Sequence, residues 1–295
     1  MKKCLILVNA YSNLKSSLNQ SARLSEELEK LGVCAEVRRN DFFACSVAEG
    51  GALRSCADDY DFCVYLDKDK YISQMLERAG LRLFNSHSAI QLCDDKMQTA
   101  IALADSGIPM PQTIPGLLCY DADAQVNAAA LDEAARRLGY PVIVKSSYGS
   151  LGSGVFKADD RNALFAIAQD LKCTPHLFQR YVACSAGRDI RVIVVGGKVV
   201  AAMLRSSKKD FRSNIELGGE GAPYEVDEEL TKICLCAADI LGLDYCGIDI
   251  LFGESGYLLC EVNSNAFFGG IERVTGVNVA QVYARHIFEE IYDKH

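Results

Sequence analysis

The sequence has no tryptophan, no low-complexity tract and no internal repeat. It has no apolar run approaching the ~18 residues of a bilayer-spanning helix, so a helical membrane span is not expected. Its first apolar run ends at Asn9, Tyr11, Ser12 and Asn13, too early for a signal peptide. Among thirteen cysteines there is no C-x-x-C pair, and Cys234 and Cys236 would diverge on a helix. An odd count without a secretion signal speaks against a disulfide framework or a zinc site, and reduced core thiols in the cytoplasm are the expectation. A formal net charge of −8 excludes a broad basic footprint for nucleic acid or an anionic membrane, while leaving room for a local anion pocket. No G-x-G-x-x-G follows the first strand, and no Gly-Lys-Ser/Thr opens a helix, so neither a dinucleotide fingerprint nor a Walker A loop is present.

What is there suits a large soluble protein. The 295 residues are 49% hydrophobic and 24% charged, enough for a substantial core in two or three domains. Residues 1–92 alternate strand and helix signals: strands near 4–8, 33–37, 61–66 and 81–84, with helices over 18–31 and 69–79. That alternation predicts a small parallel sheet covered by helices. A boundary is expected near 88–93. A helix opened by Asp94, Asp95 and Lys96 is expected to run to Ser106 and stop at Gly107, Pro109 and Pro111. Two acids suit its first turn, whereas Lys96 there does not. Further helices are predicted over 122–138, 226–241 and 279–292. Strands are predicted over 141–145 and 177–182, and a hairpin over 189–204 turns at Gly196 and Gly197.

Two stretches carry chemistry. Between strands, residues 146–155 hold three glycines and four serines, among them Ser147, Gly149, Ser150, Gly152, Ser153 and Gly154. The backbone N–H groups of such a loop can approach an anion closely. Lys145, at the end of the strand before it, supplies a compact positive charge for a phosphate. Residues 247–263 read as two apolar strands joined by a Gly-Glu-Ser-Gly turn, into which the chain sets Asp249, Glu261 and Asn263. Glu261 and Asn263 are two apart and share a face, with Asp249 folded back opposite Cys260 and Glu261. Carboxylates among core residues are costly unless paired, and a hard cation such as Mg2+ would pair them. The alternative is that Asp249 caps a turn and Glu261 lies on a solvated face. Arg205, Lys208, Lys209 and Arg212 put four cations into eight residues of an acidic chain. A solvated loop is the alternative there.

From about Asp94 to its end the chain resembles the RimK-like branch of the ATP-grasp ligases. The resemblance rests on Asp95-Lys96, Gly107-Ile108-Pro109 with Pro111, PVIVK and its Gly/Ser loop, Asp189-Ile190-Arg191, Phe211-Arg212-Ser213-Asn214, and Asp249…Glu261-x-Asn263. It implies an α/β N-terminal domain (1–92) followed by an α+β ATP-grasp fold. That fold would comprise a central subdomain (93–184) and a C-terminal subdomain (185–295), with the nucleotide held between the two. It further implies that Lys96 and Lys145 hold ATP phosphates under the glycine loop. Gln179, Arg180, Tyr181 and Val182 would offer the adenine edge, Asp189 the ribose contact, and Ser213 a further nucleotide contact. Asp249, Glu261 and Asn263 would hold Mg2+, two ions with Glu261 shared and Mn2+ able to substitute. Arg212, Asn214 and Arg205 would face the γ-phosphate and an acyl phosphate.

The implied reaction joins a carboxylate to an amine, with a glutamate-like amino acid as the added group and a small molecule or a peptide or protein terminus as the acceptor. Neither nucleic acid nor membrane is an expected partner, and a homo-oligomer is expected from the family. The alternative within the fold is an ATP-binding regulatory or scaffold protein without turnover. Two positions depart from the family pattern. Arg180 stands where many relatives have Glu, and Ser264-Asn265-Ala266-Phe267-Phe268 replaces small residues beside the acyl-transfer site.

Overall fold

The buried run at the start of the chain becomes the centre of a parallel sheet. In the computed structural model, which describes residues 1–149, 152–213 and 218–292, strand β1 (Lys3–Val8) pairs in parallel with β2 (Cys34–Arg39) on one side and β5 (Phe62–Leu66) on the other. A short hairpin of β3 (Cys45–Val47) and β4 (Leu53–Ser55), which the sequence did not announce, intervenes, and β6 (Arg82–Phe84) completes the order β2-β1-β5-β6. Alternate residues of β1 point to opposite faces. Cys4, Ile6 and Val8 meet Leu24 and Leu28 of helix α1 (Lys15–Lys30), whereas Leu5 and Leu7 meet Leu76 of α2 (Lys70–Arg78). A strand buried on both faces needs a continuous apolar run, as found.

The expected boundary near 88–93 is instead helix α3 (His87–Asp94). Its Ile90 packs with the first sheet and its Ala89 and Cys93 pack with the C-terminal core, so it rivets the two together. Asp94 therefore ends one helix, and Asp95 caps the next, α4 (Lys96–Ala102), accepting from the N–H groups of Met97 and Gln98. The reading of two acids in one first turn is corrected accordingly, and α4 ends four residues before Ser106. A four-stranded antiparallel sheet follows, in the order β7 (Thr113–Pro115), β10 (His176–Arg180), β8 (Val142–Ser146), β9 (Val155–Ala158). It is backed by α5 (Ala128–Leu138) and α6 (Arg161–Leu171). Helix α5 starts later than expected because Asn127 caps it by accepting from Ala130 N–H.

The third sheet has the order β13 (Glu220–Pro223), β12 (Lys198–Ser206), β11 (Arg188–Val195), β14 (Tyr245–Gly253), β15 (Gly256–Asn263). One face packs on α7 (Glu228–Ile240) through Ile190, Val192, Cys246, Ile248 and Val262. The opposite face is divided. Its apolar end, with Ile193, Val195, Ala201, Met203 and Tyr245, joins the core of the first sheet together with α8 (Gly269–Thr275) and α9 (Val279–Tyr292). Its polar end is left for the site. Asn85 locks the join: its amide donates to the carbonyls of Tyr245 (2.7 Å) and Ser264 (2.9 Å) and accepts from Tyr245 N–H (3.0 Å). Of the cysteines, six are buried but Cys34, Cys56, Cys173 and Cys184 are exposed, so the core-thiol reading holds for only part of the set. No helix among the described residues is long and apolar enough to cross a membrane.

Candidate active site

Period-two alternation puts one row of charges across the third sheet. With Ile190, Val192, Ile248 and Val262 turned to α7, the residues between them face the other way. The register then sets Asp189 opposite Arg205, Arg191 opposite Asp249, and Asp249 opposite Glu261, with Asn263 one step further, opposite Gly247. Asp249 thus stands opposite Glu261 as the spacing places it, while a bulge after Asp249, which the sequence did not announce, leaves Cys260 without a partner on β14. The two-residue turn Glu254-Ser255 is closed by Gly253 and Gly256, the latter at φ +115°, a conformation that favours glycine. Gly247 is required for a different reason. A Cβ there would lie 2.4 Å from the Cβ of Ala266 and 3.3 Å from Cδ of Arg191, so its absence makes room for the arginine.

The charged row is tightly bonded. Arg205 grips Asp189 with two hydrogen bonds, Nε to Oδ1 (2.7 Å) and Nη2 to Oδ2 (2.5 Å), and its Nη2 also lies 2.9 Å from Asp249 Oδ1. Arg191 donates Nη2 to Asp249 Oδ2 (2.8 Å) and Nε to Oδ1. Burial pushes the Asp249 carboxyl up, but the guanidiniums of Arg191 and Arg205 outweigh it and hold the group below its ordinary range. Burial raises Asp189 in spite of Arg205. Desolvation would weaken the Arg205 cation, yet Asp249 and Asp189 more than reverse this. Asp189, expected free for a ribose, and Arg205, expected to face phosphate, are thus bound to each other.

These residues floor a cavity of about 800 Å³ between the second and third sheets, within the range of small-molecule sites. Lys145, Gln179, Arg180, Tyr181 and Val182 line it from the second sheet; Arg212, Ser213 and Gly152 line it from the loops. Lys145 is 6% exposed, and its ammonium has no carboxylate within 4 Å among the described residues. Its hydrogen bond goes to Cys260 Sγ at 3.5 Å, a thiol whose pKa burial raises although Lys145 opposes this, so the bond supplies no negative charge to the lysine. Lys96 is outside that lining, in a small adjoining pocket that shares Lys145 and Glu261 with it, with Nζ 3.7 Å from Glu261 and donating to Gly149 O at 2.9 Å. Arg212 pairs with Asp210 (2.8 Å) and donates to Gly152 O (2.7 Å). Both cations therefore hold carbonyls of the glycine loop. Ser147, by its carbonyl, accepts from Lys96 N–H (3.0 Å). Gly149, Ser153 and Gly154 follow in that loop, outside the cavity lining. Ser150 and Asn214 lie outside the described residues.

The donor set suits a hard cation. Asp249 offers four lone-pair positions, of which its arginines take three. Glu261 has only the long contact to Lys96, and the Asn263 amide has no hydrogen-bond partner among the described residues. No cluster of three or more His, Cys, Asp or Glu side chains suited to a metal occurs among the described residues, so the oxygen set is two carboxylates and an amide.

Sequence reasoning quoted Arg191 in a motif without giving it a role, and singled out no residue of the N-terminal wall. Asn9, Ser12, Leu14, Ser17, Asp67 and Lys68 line the same cavity. The signal for some of them was present, since Asn9 and Asp67 follow directly on the parallel strands β1 and β5.

The RimK-like ATP-grasp domain model matches residues 93–287. Human N-acetylaspartylglutamate synthase A is 37% identical over 224 residues, 75% of this chain and 56% of that protein. The chain thus spans a little over half the length of that relative. A probable alpha-L-glutamate ligase of Maridesulfovibrio salexigens is 33% identical over 212 residues, 71% of this chain and 68% of that protein. Among solved structures, ATP-grasp ligase PsnB, complexed with a phosphomimetic variant of minimal precursor, Mg and ADP, superposes with a TM-score of 0.69. It is 19% identical, over 98% of this chain and 99% of that one. At that identity the likeness speaks for the fold.

Proposed function

Because the chain belongs to the RimK-like ATP-grasp family, we propose that it is an ATP-dependent carboxylate–amine ligase that uses a glutamate-like amino acid. A carboxylate attacks the γ-phosphorus of ATP and releases ADP. The resulting acyl phosphate is attacked by an amine, giving an amide and inorganic phosphate, with the amine proton passing to solvent. The carrying observation is Lys145, a buried ammonium with no carboxylate to answer it among the described residues. An uncompensated buried charge is expensive, and a nucleotide phosphate in the cavity relieves the cost.

The other roles follow from chemistry and position. Lys96 and Arg212 exchange the loop carbonyls of Gly149 and Gly152 for phosphate oxygens, the stronger charge-assisted bonds. Asp249, Glu261 and Asn263 are the residues to hold Mg2+, which when bound neutralises charge on the transferring phosphoryl group. Arg205, already satisfied by Asp189, holds Asp249 in place. Arg191 borders the cavity and joins Arg212 in stabilising the tetrahedral oxyanion, a contribution of about 3–4 kcal/mol for one well-placed donor. The adenine lies against the backbone of Gln179, Arg180, Tyr181 and Val182. Arg180 turns its guanidinium to Gln112 Oε1 (2.7 Å), which leaves that backbone edge to do the recognition.

The test is Mg2+-dependent ADP release with L-glutamate paired against a panel of carboxylic acids, amino acids and short peptides, with product masses recorded. A product heavier by one residue per ADP is expected. Nucleotide hydrolysis without any condensed product across the panel contradicts the reading.

A further inference from the structure

Among the described residues, the first backbone donors of helix α1 have no acceptor. Leu14 stands at the cap position with an extended backbone and offers no side-chain acceptor, and the first turn has no acidic residue. The first amides of a helix have no partner within it and carry the positive end of the helix dipole. A second observation points the same way. Ser17 is 7% exposed, lines the cavity, and its hydroxyl has no hydrogen-bond partner among the described residues. An unbonded hydroxyl open to the cavity, on a residue otherwise buried and next to free amides, is a donor set without its acceptor.

The surroundings fix this end of the helix. Arg39 donates to the carbonyls of Ala10 (2.8 Å) and Ser12 (3.0 Å), and Asn40 accepts from Ala10 N–H (2.9 Å), so the β1–α1 loop is braced. Gln20, one turn on, donates to Asn265 Oδ1 and Ala266 O, both at 3.2 Å. That ties α1 to the segment immediately after Asn263. The sheet order β2-β1-β5-β6 reverses direction between β1 and β5. Ligands of open parallel sheets bind beyond the carboxyl ends of the strands at such a reversal. Asn9 and Asp67 meet there, 3.2 Å apart, with Asp67 also accepting from Asn40 and Lys68 N–H.

We infer that the N-terminus of α1, with the Ser17 hydroxyl, is the seat for the non-reacting carboxylate of the amino acid whose amine attacks the acyl phosphate. A carboxylate clamped by several N–H donors is a poor nucleophile, so the seat suits the spectator group and not the one that is phosphorylated. The ligand class is a free amino acid, in contrast to a peptide whose N-terminal residue has no free α-carboxylate. The inference rests on the ligase reading, but its binding test does not.

The experiment is calorimetric titration of the whole protein with L-glutamate and with L-aspartate, in Mg2+ and a non-hydrolysable ATP analogue. Wild type is compared with Ser17→Ala and Ser17→Asp. S17D places a negative charge in the seat; an acidic residue in the first turn suits the helix dipole, and retained binding of the ATP analogue shows that the variant is folded. Like charges set side by side weaken binding strongly, and a loss of about tenfold or more is expected for S17D, with a smaller loss for S17A. Affinity for the ATP analogue should be unchanged in both. The inference is overturned if neither amino acid binds wild type, if S17D binds as wild type does, or if S17D loses nucleotide affinity in parallel. Titration with the analogue alone reads the nucleotide site separately. Absence of that binding would defeat the ligase reading while leaving the carboxylate result to stand or fall by itself.

Discussion

Asp249 and Glu261 face each other across two strands and belong to one proposed metal site, yet their surroundings differ. Asp249 is 6% exposed and answers two guanidiniums, one of which, Arg191, has no other carboxylate partner among the described residues. Removing one side of a buried ion pair strands the other, at roughly 3–5 kcal/mol. Asp249→Asn should therefore unfold well before wild type in urea as well as losing turnover. Glu261 is less buried and has only the 3.7 Å contact to Lys96. Glu261→Gln should cost under about 1 kcal/mol in the same assay and still abolish Mg2+-dependent turnover. Equal stability losses in the two variants would contradict this division. Glu261 is accordingly the cleaner probe of metal chemistry. Sequence spacing placed these carboxylates correctly, because strand period and a short glycine turn are local properties. That Asp249 also anchors Arg191 and Arg205 was out of reach, since it depends on the register of β11 against β14 and β12.

Elements with a clear period were legible. The parallel strands of the first sheet, the helices α1, α2 and α9 and the two long hairpins of the third sheet lie where the apolar pattern puts them. Helix α3 was not, because its apolar residues serve two different cores. Ala89 and Cys93 face one and Ile90 the other, which blurs a single stripe into what reads as a linker. The same ambiguity hid the join between the sheets. Asn85, between β6 and α3, spends its whole amide on Tyr245 and Ser264. Asn85→Ala would leave buried backbone groups without partners, a loss of roughly 2–4 kcal/mol in urea unfolding. Unfolding within experimental error of wild type would show that the sheets are held by apolar packing alone.

For the whole molecule, the acidic balance of the chain conceals a cavity in which Lys145, Arg191, Arg205 and Arg212 gather with only part of their charge answered. Composition averages over such a pocket, and only the motifs signalled it. The N-terminal sheet also walls this cavity. Its wall of the cavity came from the ends of β1 and β5, which no motif marks. The first and third sheets share one apolar core, so the proposed amino-acid seat at α1 and the proposed metal residues on β14 and β15 are fixed relative to each other. Such fixed geometry is what a reaction driven by positioning requires.

The central claim is that a substrate carboxylate takes the γ-phosphoryl group of ATP. It is tested most directly by supplying the acid identified in the ADP-release screen with 18O in its carboxylate and analysing the released phosphate by mass spectrometry. One 18O atom in the phosphate for each amide formed is the predicted result. Phosphate free of label, or label recovered in AMP, would contradict an acyl phosphate and with it the proposed function.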